Sequence, residues 1–135
     1  MSARTKARKR ALDMLYAAEL IDRPLSDVIA EEQMRALDEP DRESSWRYAR
    51  EIVLGVDEHA IEIDEAIESA SRDWTIDRMP RIDRAILRIG VWELKYNAEV
   101  PVGVVINEAV ESAKQYSTDD SARFVNGVLG RIAER

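Results

Sequence analysis

Residues 80–96 read PRIDRAILRIGVWELKY. At 3.6 residues per turn, Ile82, Ala85, Ile86, Ile89, Trp92 and Tyr96 form one apolar stripe. Leu87, Val91 and Leu94 form a second. A helix that is apolar on two sides is one packed among other helices. The segment therefore predicts the central helix of an all-helical bundle, with Pro80 in its first turn. Gly90 predicts the close approach of another backbone, and Arg84, Arg88 and Lys95 share the remaining polar strip. Asp83 stands beside the second stripe, as a rim carboxylate or as one offered to a cationic partner.

Helical periodicity extends outward from this segment. C-terminal to it, Pro101 opens a helix that buries Val102, Val105, Ile106, Ala109, Val110, Ala113 and Tyr116. The run Ser117-Thr118-Asp119-Asp120-Ser121 is rich in capping residues, and Asp120 reads as a cap shaping this loop. The last helix carries Phe124, Val125, Val128, Leu129 and Ile132.

N-terminal to it, Trp46, Ala49, Val53, Val56, Ala60, Ile63, Ile67 and Ala70 alternate spacings of three and four. That predicts one long helix, capped by Ser44 or Ser45, with a seam suited to a bundle or to a homodimer. The bundle is favoured because the other helices also need burial. A second helix carries Leu25, Val28, Ile29 and Leu37 behind a Ser26 cap. The first runs from Arg4 to Ile21 and buries Ala7, Ala11, Met14, Leu15 and Ala18. Tyr16 stands about 100° off that stripe, beside Lys9 and Leu12, where it can meet a partner.

Composition narrows the function. The 135 residues are 45% apolar and 35% charged, which fits one domain spanning 1–135. The absence of cysteine excludes disulfides, iron–sulfur clusters and thiolate chemistry. A single histidine, His59, excludes a two-histidine metal site, and no phosphate-binding glycine loop is present. The reading is therefore a protein that is not an enzyme and carries no cofactor or metal. No apolar run reaches the ~20 residues of a membrane span, which predicts a cytoplasmic protein without a membrane partner.

Charge is unevenly placed. Arg4, Lys6, Arg8, Lys9 and Arg10 precede the first acid, Asp13, leaving −12 on the remainder of a chain whose net charge is −7. A cationic terminus on an acidic body is a localised phosphate-binding candidate or a solubilising charge run.

Three motifs carry a family resemblance. They are Arg4-x-x-Ala7-Arg8-x-x-Ala11-Leu12-x-x-Leu15-Tyr16, then Asp83-Arg84-Ala85-Ile86-Leu87-Arg88-x-x-x-Trp92-Glu93-Leu94, then Val105-Ile106-Asn107-Glu108-Ala109 with Phe124-Val125-Asn126-Gly127-Val128-Leu129. In this order they resemble the NusB family of transcription antitermination factors across essentially the whole chain. The resemblance implies two packed three-helix bundles. It also implies binding of boxA-type single-stranded RNA together with the small-subunit ribosomal protein that acts as NusE. The RNA polymerase antitermination complex, notably in ribosomal RNA operons, is the implied setting.

Carried over, Arg4, Lys6, Arg8, Lys9 and Arg10 occupy the family's arginine-rich RNA segment. Tyr116, Asp120 and Phe124, flanked by Lys114 and Arg123, fall along the RNA track, while Tyr16 and Asp83 face the ribosomal partner. Asp13 replaces the family's usual glutamine and subtracts charge from the basic segment. Two other readings remain: a detached targeting domain of a ribosomal RNA methyltransferase, or a structural homodimer through the Trp46–Ala70 seam.

Overall fold

A computed structural model describes residues 2–72 and 74–135, without the side chain of Asp41. Among the described residues, seven α-helices are joined by short loops: α1 (Ala3–Leu20), α2 (Leu25–Leu37), α3 (Glu43–Glu58), α4 (Ala60–Ser71), α5 (Arg81–Tyr96), α6 (Val102–Tyr116) and α7 (Asp119–Ala133). Short 3-10 turns, Pro40–Arg42 and Ile76–Arg78, precede α3 and α5. Helices α1, α2 and α3 pack on one another, and α4, α6 and α7 pack around α5. Helix α5 also contacts α1 and α3, which joins the two groups.

The central position of α5 follows from its two apolar faces. Ala85, Ile86, Leu87, Ile89, Val91 and Trp92 are all buried. At Gly90 the close neighbour is a side chain of α7 rather than another backbone: a Cβ there would lie 2.8 Å from Leu129 Cδ1. Gly55 plays the same part on α3, under the indole of Trp92.

The expected long third helix is two helices. The seam of three-and-four spacings runs on, but the backbone turns at His59 (φ −108°, ψ 25°), which ends α3 and starts α4. Spacing alone survives such a break, because each half keeps its own apolar stripe. Trp46, Ala49, Val53, Val56, Ile63, Ile67 and Ala70 are buried within the one chain. The seam is therefore spent inside the protomer, which removes it as the contact for a homodimer.

Other differences are local. Pro24, not Ser26, precedes α2, and Pro80 precedes α5. Arg42 occupies the cap position of α3, and the Ser45 hydroxyl donates back to the Arg42 carbonyl. At α7 the cap is Thr118, whose hydroxyl oxygen accepts from the Ser121 amide. Asp119 and Asp120 follow in the first turn, where negative charge suits the helix N-terminus. Leu37 and Val102, expected inside, are 74% and 50% exposed because both lie at helix ends beyond the reach of the core.

Candidate nucleic-acid interface

The basic segment of α1 divides into an inward and an outward set. Arg8 turns inward and is only 7% exposed. Its Nε and Nη2 donate to the two carboxylate oxygens of Glu93 on α5, at 2.8 and 2.9 Å. Glu93 is itself 1% exposed and also accepts from the Tyr48 hydroxyl at 2.6 Å. Asn97 Nδ2 donates to that hydroxyl at 2.9 Å, and Glu108 stands 3.6 Å from the Arg8 guanidinium. The network ties α1, α3, α5 and α6 together. Arg8 is thus a structural cation and not part of the exposed basic surface.

Sequence reasoning missed Glu93, Tyr48 and Asn97 as partners. The signal was present: Glu93 falls one turn after Ile89 on the buried stripe of α5, and Arg8 two turns before Leu15 on that of α1. A charge on a core stripe of one helix calls for an opposite charge on another.

Burial works against ionisation of the Arg8 guanidinium, but hydrogen bonding and charge from Glu93 more than offset it and hold its pKa above the usual value. Burial and then the Glu93 bond raise the Tyr48 phenol above its ordinary 10. Stability from that shift is complete below pH ~10, where tyrosine in the unfolded chain begins to ionise, and is lost as pH rises toward the folded value. Melting curves should therefore fall more steeply with pH above 10 for the wild type than for Tyr48→Phe. Parallel slopes would contradict the assignment.

The outward set faces solvent. Arg4 lies over the Tyr48 ring, 4.6 Å from its centroid, and pairs with Glu99 at 3.2 Å. Lys6, Lys9 and Arg10 line a cleft shared with Arg35 and Arg42. Arg10 stands 3.9 Å from Glu39, and Lys9 pairs with Asp13, the acid expected to subtract charge here. Lys9 also sits 4.7 Å above the centroid of the half-buried Tyr116 ring at the end of α6. This contact joins the basic N-terminus to the end of α6, more than 100 residues away in sequence.

Lys114 and Arg123 line a separate cleft between α6 and α7, together with Asn126. Arg123 pairs with Asp120, and Lys114 stands 3.5 Å from Glu111. Phe124 is half-buried and faces a different cavity, with Trp74 across the α4–α5 connection.

Of the two expected partner-facing residues, Asp83 is not a free rim group. Tyr16 is half-buried. Asp83 is 3% exposed, and its two carboxylate oxygens accept from Ser117 and Ser121, each at 2.7 Å. It fastens α5 to the α6–α7 connection, so it is not the rim carboxylate the sequence suggested. Reversing its charge would leave two serines facing a buried ammonium and would disturb the fold itself. Near it, Glu19 of α1 gathers Arg81, Arg84 and Arg88 of α5, and Arg88 makes a further fork to Asp64 of α4.

Comparison with known proteins places this geometry. Residues 5–134 match the model of the NusB family. The transcription antitermination protein NusB of Clavibacter sepedonicus is 60% identical over 133 residues, covering 98% of this chain and 97% of that one. The protein of the same name from Leifsonia xyli subsp. xyli is 60% identical over 134 residues, 99% of this chain and 93% of that one. Among solved structures, NusB of T. maritima superposes with a TM-score of 0.82 at 32% identity, covering 100% of this chain and 93% of that one. A structure of antitermination factors NusB and NusE in complex with dsRNA gives 0.80 at 30% identity, covering 99% and 98%.

Proposed function

Because the chain belongs to the NusB family, we propose that it is a non-catalytic antitermination factor. It binds boxA-type RNA together with the ribosomal protein that acts as NusE, and so assists read-through by RNA polymerase, notably in ribosomal RNA operons. The observation that carries the RNA role is the Lys9–Tyr116 contact, which merges the basic α1 segment with the α6–α7 corner. Single-stranded RNA is bound by cations that track its backbone beside aromatic rings on which bases stack. The solved complex of NusB and NusE with dsRNA supports the partnership.

The RNA contacts are assigned to Arg4, Lys6, Lys9 and Arg10 of α1, and to Lys114, Tyr116, Arg123 and Phe124 beyond. Arg8 serves by holding α1 in place. Asp120 keeps Arg123 in position rather than attracting phosphate, since a carboxylate repels it. Tyr16, near the α1 end of the Glu19 ion cluster, faces the ribosomal partner, and Asp83 holds α5 to the α6–α7 connection.

Each phosphate neutralised on a single strand contributes about −0.7 to the slope of log affinity against log salt. The six cations assigned to RNA therefore set a slope no steeper than about −4. Titrations from 50 to 300 mM salt check this; a markedly steeper slope would mean that cations outside this surface bind RNA.

Sedimentation velocity tests the partnership. A mixture of the chain, the ribosomal protein and boxA-type RNA should run as one species heavier than any pair. Separate boundaries for chain and partner at micromolar concentrations would contradict the proposal.

A further inference from the structure

Trp74 and Phe124 line one cavity of about 230 Å³ at the junction of the α4–α5 connection and α7. Met79 and Pro80 complete its apolar wall. Trp74 is 50% exposed, whereas the other two tryptophans, Trp46 and Trp92, are each 5% exposed. An indole held half in solvent beside a second ring, over an apolar wall, is a surface that stacks planar ligands. The polar groups of the cavity are Asp83, Asp120 and Ser121. Two of the three are carboxylates, so the cavity repels phosphate and accepts hydrogen bonds.

We propose that this cavity is a nucleobase pocket, in which one unstacked RNA base lies against Trp74 and Phe124 with an amino-bearing edge toward Asp120. The inference rests on the RNA-binding reading above and adds Trp74 to the residues that select sequence. Phosphates run along the cations of α1 and the α6–α7 cleft, where Arg123 is one residue from Phe124. In this proposal the phosphate stays beside Arg123 while the base turns toward Phe124, the next residue of α7. Asp83 does not supply the contact, because Ser117 and Ser121 already occupy both its oxygens. Asp120, exposed and at the cavity edge, has oxygen to spare for an exocyclic amine. Carboxylates accept from cytosine N4, which favours amino-bearing bases over uracil at this position.

The test uses the intact chain with boxA-type RNA and a scrambled control. Stacking on Trp74 quenches the one tryptophan that reaches solvent, so the specific RNA should quench emission in the wild type and leave Trp74→Leu unquenched. Loss of one stacked base costs about 1–3 kcal/mol, so Trp74→Leu should bind roughly 5- to 150-fold more weakly, and Trp74→Phe should recover most of that. An abasic site at one RNA position should weaken wild type and leave Trp74→Leu unchanged. Asp120→Ala should reduce the preference for an amino-bearing base at that position. If the wild type binds the specific RNA selectively and Trp74→Leu matches it, the pocket is overturned while the RNA reading stands. If Trp74→Leu loses only the ribosomal partner, the cavity holds a protein side chain and the proposal falls. If the wild type does not distinguish the two RNAs, the pocket falls together with the RNA reading.

Discussion

Arg8→Ala lowers stability by about 3–5 kcal/mol, the usual cost of removing one partner from a buried ion pair. For a chain of 135 residues that is a drop of roughly 10–20 °C in the melting midpoint. The reason lies in Glu93, whose carboxylate would be left at 1% exposure with only the Tyr48 hydroxyl donating to it. Arg8→Lys should recover part of the loss: it restores charge but not the two-toothed fork to the carboxylate. Arg8→Met combined with Glu93→Met should be more stable than Arg8→Ala, since apolar replacement of both partners removes the stranded charge. Urea unfolding of the wild type and these three variants measures this. A loss below 1 kcal/mol for Arg8→Ala would mean that Arg8 is a surface cation after all. Its RNA affinity then becomes the relevant quantity.

Gly55→Ala is the second large effect. An ideal Cβ on Gly55 would lie 1.9 Å from Trp92 Nε1 and 2.5 Å from Cε2. The indole is rigid, 5% exposed, and seated between α3 and α5 beside the Tyr48 ring. It cannot swing aside as a flexible aliphatic side chain would. The helices must separate, at a cost at or above the upper end of the 1–3 kcal/mol typical of overpacking. Trp92→Phe introduced with Gly55→Ala should restore part of the stability that Gly55→Ala removes, because the smaller ring vacates the space. Gly90→Ala should be milder, since its Cβ meets the movable Cδ1 of Leu129. Equal stability of Gly55→Ala and wild type would contradict the packing described here.

Much of this architecture was legible in the apolar periodicity. The two stripes of α5 placed it at the centre, and Gly90 marked the approach of α7. Periodicity could not show the turn at His59, because the stripe resumes in phase after it. Helix ends also escaped it: Leu37 and Val102 fit the pattern but lie past the core.

The site divides in the same way. A run of cations in α1 is visible in sequence, but which of them points inward depends on Glu93, 85 residues away. Asp83 looked like a rim charge because its serine partners belong to the α6–α7 connection. The family resemblance brought α1 and the C-terminal motif to one function. In the structure the Lys9–Tyr116 contact joins α1 to the end of α6.

Fluorescence anisotropy with boxA-type RNA and a scrambled control, at fixed salt, with and without the ribosomal partner, tests the central claim most directly. The account predicts tight binding to the boxA-type RNA alone, strengthened by the partner and weakened by Lys9→Ala with Tyr116→Ala. Equal, weak binding to both RNAs, unchanged by the partner, would mean that the basic N-terminus is a charge patch and that the fold is kept without the function.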